Sequence, residues 1–204
     1  MILALDVGNT NICIGCFNEG KILFTGRMST DHSKTADEYA IGFNSIIRLY
    51  GYHTGDVVGS IISSVVPPLN PILRDAVKRL TGTTPLQVGP GLKTGLNILL
   101  DNPGQLGSDQ VVDAVAAIHQ YPKPLIVVDM GTATTLSAID GEGRYLGGMI
   151  LPGVRVSQDT LTGRTSQLPR ISLEPPAHVI GKNTIDCMKS GAIYGNAAMI
   201  DGCI

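Results

Sequence analysis

Tryptophan is absent from this chain, and aromatic residues make up only 4% of it. With so little aromatic surface, and with its 15 basic residues scattered, the chain offers neither a base-stacking platform nor a cationic stripe. Nucleic acid and anionic lipid are therefore poor partners for it. Charge is sparse as well, at 16% of residues and a net −2, against 43% hydrophobic residues, the balance of an ordinary globular protein with ample material for a core. No apolar run approaches the roughly 20 residues needed to span a bilayer. Met1 leads directly into an apolar strand without a basic leader or cleavage site, so no membrane and a cytoplasmic location are expected. Cysteine is limited to positions 13, 16, 187 and 203. Cys13 and Cys16 have the spacing of a redox or zinc pair, but residues three apart on a strand face opposite ways, and no second Cys/His pair completes a metal site. They read as structural thiols, and His32, His53, His119 and His178 as isolated structural or surface residues.

The common nucleotide signatures are missing too. The nearest approach to a P-loop, Gly181-Lys182-Asn183-Thr184, has Pro176 in place of the first glycine and Asn183 at the hydroxyl position. A strand followed by G-x-G-x-x-G does not occur, nor do the HRD and DFG triplets of protein kinases.

What the chain does have is one signature written twice. Asp6-Val7-Gly8-Asn9-Thr10 follows the apolar run Ile2-Leu3-Ala4-Leu5, and Asp129-Met130-Gly131-Thr132-Ala133 follows Leu125-Ile126-Val127-Val128. Each reads as buried strand, acid, glycine turn, hydroxyl or amide, then a further apolar stretch. A repeated bend of this kind suggests two related halves closing on a common ligand, and its chemistry suits a nucleoside triphosphate. Glycine lets backbone N–H groups approach phosphate oxygens, Thr and Asn donate further bonds, and Asp can hold a cation or its water shell.

Around the first bend, residues 2–7, 11–17 and 21–28 read as a three-strand meander. A helix is expected over 35–50, with Thr35 as N-cap and Tyr39, Phe43, Ile46 and Ile47 on one face. A buried strand over 56–66, a helix over 69–81 and a short strand over 85–88 complete a βββαβαβ half. Residues 93–107 are polar and turn-rich, and 109–121 form an apolar helix with Asp109 as cap or first turn. The pattern then restarts with strands 125–129, 133–139 and 144–149, a helix from 152, a loop over 169–179 and a small-residue helix over 183–204. The second half stops before repeating the plan of the first, so it is expected to be truncated at its C-terminus.

Five segments taken together carry a resemblance. They are Asp6-Val7-Gly8-Asn9-Thr10-Asn11, Ser63-Ser64-Val65-Val66-Pro67-Pro68, Gly89-Pro90-Gly91-Leu92-Lys93-Thr94-Gly95, Asp129-Met130-Gly131-Thr132-Ala133-Thr134-Thr135 and Ile180-Gly181-Lys182-Asn183-Thr184. In this order they resemble type III pantothenate kinase, of the acetate and sugar kinase/Hsc70/actin superfamily, over essentially the whole chain. The resemblance implies an α/β fold of two ribonuclease-H-like, actin-like ATPase domains with mixed sheets flanked by helices, here assigned to 1–108 and 109–204. It implies ATP-dependent phosphorylation of pantothenate, the first step toward coenzyme A, by a homodimer using Mg²⁺ and a monovalent cation, K⁺ or NH₄⁺.

Residue by residue, the first bend (Asp6, Val7, Gly8, Asn9, Thr10, Asn11, Ile12 and Cys13) would bind ATP, with Asp6 organising Mg²⁺. Asp129 would be the K⁺ ligand and Thr132 a nucleotide contact. Gly107, Ser108, Asp109 and Gln110 match the segment that holds pantothenate, with Asp109 as general base, and Thr184 matches a further substrate contact. Three positions depart from the family pattern: Gln110 stands where arginine is usual, Leu100 where tyrosine is usual, and Asp113 where asparagine is expected. Gln keeps a hydrogen-bond donor but loses the charge that would pair with the pantothenate carboxylate. These departures leave two other readings open, a non-catalytic nucleotide-binding homologue with a regulatory role and a related kinase for another small molecule.

Overall fold

Alternation of large apolar residues with small or polar ones along the first strands sets the first sheet. In the computed structural model, which describes residues 1–204, β1 (Ile2–Val7) buries Leu3, Leu5 and Val7 and turns Ile2, Ala4 and Asp6 to the opposite face. β2 (Asn11–Asn18) does the same with Ile12, Ile14 and Cys16, as the two-residue period of a strand requires. β3 (Lys21–Ser29) completes an antiparallel meander. β4 (Gly59–Ser64) then lies parallel to β1, and β5 (Leu86–Gln87) parallel to β4, giving the order β3-β2-β1-β4-β5. Burial pushes the Cys16 thiol up to about 11, which suits a packing residue rather than a reactive one.

Two helices cover the apolar face. α1 (Ala36–Leu49) starts from a capping box in which the Thr35 hydroxyl accepts from Glu38 N–H at 3.3 Å and the Glu38 carboxylate accepts from Thr35 N–H at 2.8 Å. Tyr39, Phe43 and Ile47, four residues apart, are fully buried. The Tyr39 hydroxyl donates to the Asp31 carbonyl (2.7 Å) and accepts from Asp31 N–H (2.9 Å), so its burial leaves no polar atom unpaired. α2 (Asn70–Thr81) buries Leu73, Ala76 and Val77 and stops at Gly82, whose φ of 73° supplies a left-handed cap. Burial of Leu73 and of Val77 contributes about 1.5–3 kcal/mol each by transfer from water.

The chain divides into two compact units, Met1–Asn97 with Asp101–Gln120, and Ile98–Leu100 with Tyr121–Ile204. The second unit carries the meander β7 (Leu125–Met130), β8 (Ala133–Ile139) and β9 (Arg144–Pro152), with the two-residue strand β6 (Asn97–Ile98) beside β9. The turn from β8 to β9 is built by Asp140, whose carboxylate accepts from Glu142 N–H (3.0 Å), Arg144 N–H (2.9 Å) and Arg144 Nε (2.6 Å). A Cβ at Gly148 would strike the Leu136 backbone, so glycine is required where β9 passes over β8. α4 (Val154–Arg164) follows, then α5 (Thr184–Ser190), a π-helical turn over Gly191–Gly195, and α6 (Asn196–Cys203).

Most expected elements fall within a few residues of their observed bounds, with three differences. The strand expected over 56–66 is shorter, because Thr54–Asp56 and Pro67–Leu69 form 3-10 turns at its ends. The helix expected over 183–204 is interrupted at Gly191–Gly195, a π turn that begins and ends on glycine. The helix expected to open the second half, α3 (Ser108–Gln120), clusters instead with the first unit, because hydrogen bonds from Ser108 fasten its start to β4.

Candidate active site

The first bend joins β1 to β2 at the carboxyl end of the parallel strands, where open α/β sheets bind their ligands. Gly8 N–H donates to the Asn11 carbonyl at 3.0 Å, so the glycine amide is spent inside the turn. A Cβ on Gly8 would press on the Asn11 carbonyl at 3.3 Å, so the glycine supplies shape. The bend is anchored from outside by Thr30, whose hydroxyl donates to the Gly8 carbonyl at 2.6 Å and whose N–H donates to the Thr10 carbonyl at 3.0 Å. Val65 N–H donates to the Val7 carbonyl at 3.0 Å, tying in the end of β4. Asn9 and Thr10 are left exposed at the tip, with Asp6 exposed below them.

The register of the sheet sets Asp6 beside Ser63, the β4 residue to which α3 is tied. Asp6 pairs with Ser63 on β4, on the face opposite the apolar core. Ser63 is buried even so, because α3 sits on it: the Ser63 hydroxyl donates to Ser108 Oγ at 3.2 Å. Ser108 Oγ also accepts from Ser64 N–H (2.9 Å) and donates to the Ser64 carbonyl (2.9 Å). One hydroxyl thus plugs both polar groups of the last β4 residue and sets the first turn of α3 on the end of that strand. Asp109, half-buried, folds its Oδ1 back to accept from Gln110 N–H at 2.7 Å. A Cβ at Gly107 would collide with that oxygen, so Gly107 is the clearance for the carboxylate. Gln110 and Asp113 lie on the same helix, and Asp113 stacks one turn below Asp109. On the far side of Asp6 the same row continues through Cys13 on β2 to Arg27 on β3.

In the second unit, Gly131 N–H donates to the Ala133 carbonyl at 2.9 Å, and Gly153 N–H at the end of β9 donates to the Thr132 carbonyl at 3.0 Å. The second bend is therefore held by the strand after next, as the first is. A Cβ at Gly153 would overlap the Thr132 carbonyl. Asp129 and Thr132 are both exposed. Thr184 opens α5 next to its N-cap Asn183, whose side chain accepts from Asp186 N–H at 2.9 Å. With Lys182, Gln158 and Met188 it lines a cavity of about 760 Å³, into which the buried Gln158 amide oxygen brings no hydrogen-bond partner of its own. Leu100 belongs to this unit as well, with Cδ2 3.6 Å from the position a Gly147 Cβ would take.

Of the residues expected to act, the first unit thus gathers Asp6, Val7, Gly8, Asn9, Thr10, Asn11, Ile12 and Cys13 with Gly107, Ser108, Asp109 and Gln110. Asp129, Thr132 and Thr184 belong to the second. Ser63, Ser64 and Thr30 fasten the first set together, and sequence reasoning assigned them no role. The signal for Ser63-Ser64 was present as two hydroxyl residues ending a buried strand, where orphan backbone groups need partners. Nowhere do three or more Asp, Glu, His or Cys side chains gather as a metal cage. The exposed carboxylates of Asp6 and Asp129 suit hard cations that complete their oxygen shell from phosphate and water.

Residues 2–204 match the family model described as type III pantothenate kinase. A type III pantothenate kinase from Bacillus cytotoxicus is 45% identical over all 204 residues, which span 78% of that protein. Among solved structures, a protein from Campylobacter jejuni named as a conserved Baf family transcriptional activator aligns with a TM-score of 0.58 at 19% identity, over 99% of this chain and 79% of that one. A protein from Sinorhizobium meliloti named as a 2-dehydro-3-deoxygalactonokinase aligns with a TM-score of 0.57 at 11% identity, over 100% of this chain and 81% of that one. At such identities these two speak for the shared fold alone.

Proposed function

The chain belongs to the type III pantothenate kinase family, and from that premise we propose that Asp109 is the general base of its reaction and the first bend its phosphate cradle. The protein is a kinase that phosphorylates pantothenate with ATP, in the first step of coenzyme A biosynthesis. The observation that carries the residue assignment is the Ser63–Ser108 connection, which puts the start of α3 on the β4 residue paired with Asp6. An acid that takes a proton and an acid that serves the phosphates must be neighbours, and the Ser63–Ser108 connection supports that reading.

A primary alcohol is a poor nucleophile at neutral pH. Asp109 accepts its proton as the oxygen attacks the terminal phosphorus. Phosphoryl transfer is largely dissociative, so alignment and neutralisation of charge do most of the remaining work. Asn9, Thr10 and Asn11 offer donors around the first bend, and Thr132 contacts the nucleotide from the second. Asp6 serves Mg²⁺ and Asp129 a monovalent cation, which when bound neutralise phosphate charge. Gly107, Ser108, Gln110 and Thr184 hold pantothenate, and the active form is a homodimer. Retention of a carboxylate at 109 favours a catalyst over a nucleotide-binding relic, which has no use for a base.

The test is Asp109→Asn. Turnover should vanish while ATP affinity, measured by calorimetry, stays close to that of the parent protein. Turnover at the parent rate would remove Asp109 from the mechanism.

A further inference from the structure

Arg27 sits on β3 directly opposite Cys13 of β2, and Cys13 sits directly opposite Asp6 of β1. Cross-strand partners share a face of the sheet, so Arg27, Cys13, Asp6 and Ser63 form one row, with the start of α3 and Asp109 above its Ser63 end. Phe24, Gly26 and Met28 take the core side of β3, which leaves Arg27 exposed on the side of Asp6. Its guanidinium enters no ion pair, and its neighbours along the row and strand on that face are Cys13, Thr25 and Ser29, none of them a carboxylate. The strand is also fixed to the bend, since Thr30, three residues on, makes both of the hydrogen bonds that anchor Gly8 and Thr10. Two strand spacings, about 10 Å, separate the Asp6 and Arg27 backbones, a gap that a guanidinium leaning toward the bend narrows.

We infer that Arg27 is a further nucleotide-binding residue, which pairs with the phosphate next to the one transferred and neutralises the leaving group. The inference rests on the reading that Asp109 takes the alcohol proton and the first bend holds the phosphates. Reading along the row from Asp109, the acceptor alcohol comes first, the terminal phosphate lies by Asp6, and the remaining phosphates run toward Arg27. In the transfer the alcohol oxygen forms a bond to the terminal phosphorus, and its proton passes to Asp109. The bond from that phosphorus to the bridging oxygen breaks, and its electron pair stays on the departing diphosphate. Negative charge therefore grows at the Arg27 end of the row. Arginine is suited to that place because its planar fork matches phosphate oxygens and keeps its charge throughout.

Steady-state kinetics and ADP calorimetry on Arg27→Gln and Arg27→Lys decide the matter, with Asp109→Asn run in parallel. Arg27→Gln should raise the KM for ATP and the Kd for ADP at least about tenfold and lower kcat. The KM for pantothenate should stay within about twofold of the parent value. Arg27→Lys should recover part of the ADP affinity, and neither variant should move Tm, since the side chain is exposed and enters no ion pair. ADP affinity within about twofold of the parent, or a change confined to the KM for pantothenate, overturns the assignment. Persistent turnover in Asp109→Asn overturns the base assignment instead, and ADP binding still reports on Arg27.

Discussion

Gly107→Ala places a single methyl group where the structure has room for none. The added Cβ would approach Asp109 Oδ1 more closely than the 3.0 Å that real Cβ atoms keep, while Val65 Cγ1, at 3.7 Å, is in ordinary contact. The backbone of Gly107 does not occupy the left-handed region, so alanine is conformationally allowed there and the fold should survive. What must yield is the Asp109 carboxylate, the one crowded group with a free torsion. It would retreat by roughly an ångström, loosening its 2.7 Å bond from Gln110 N–H.

A displacement of that size at a reacting group costs on the order of a hundredfold in rate, or about 2.7 kcal/mol of transition-state stabilisation. The expected outcome is thus a kcat about two orders of magnitude below the parent, with the KM for ATP unchanged and Tm within a few degrees. Coupled-assay kinetics with pantothenate in excess, alongside a thermal melt, measure all three. A kcat equal to the parent value in a folded Gly107→Ala protein would refute the reasoning, because the carboxylate would then have tolerated displacement and its position could not matter.

Gln110→Arg replaces a neutral hydrogen-bond donor with a charged one, and should lower the KM for pantothenate about tenfold; an unchanged or higher KM would show that position 110 does not meet the substrate carboxylate. Stability should also fall in acid. Hydrogen bonds from Thr35 hold the Glu38 carboxyl below its usual range, and at Asp140 partial burial, which would raise the pKa, is outweighed by bonds and charge from Arg144. A depressed folded-state pKa means stability that is present above the ordinary carboxylate range and lost as pH falls through the folded value. Tm should accordingly drop below about pH 4, and Asp140→Asn should flatten that part of the Tm–pH curve.

Much of the first unit was legible because its elements announce themselves locally. Alternation in β1 and β2, the Thr35 N-cap, and the four-residue spacing of Tyr39, Phe43 and Ile47 are each local signals. The placement of α3 was not legible. Seen along the chain, residue 109 follows a long polar stretch and looks like the beginning of a new half. In space, a single serine hydroxyl satisfying the amide and carbonyl of Ser64 binds the helix to the preceding sheet. Two-residue β6 was invisible for a related reason, since its existence depends on β9 being alongside and on nothing in Asn97-Ile98 itself.

Arg27 escaped the sequence reading through a register shift. Counting from the turn, where Asn18 pairs with Lys21 and Phe17 with Ile22, would put Gly26 opposite Cys13 and send Arg27 to the core side. An irregularity between Cys16 and Phe17 moves the pairing by one residue, so that Arg27 faces Cys13, and a one-residue slip exchanges the two faces of a strand. The same kind of count separates the two bends, which look interchangeable as strings. In the first, four residues lie between the paired Val7 and Ile12; in the second, three lie between Met130 and Thr134. The first bend therefore has one more backbone amide, and with Asn9 and Asn11 two more side-chain amides, than the second can offer. A longer bend fastened by Thr30 suits several phosphate oxygens, whereas the shorter one, closed tightly by Gly153, suits a single contact at Thr132 beside an exposed acid at Asp129. One residue of difference in loop length supports giving the two bends unequal tasks.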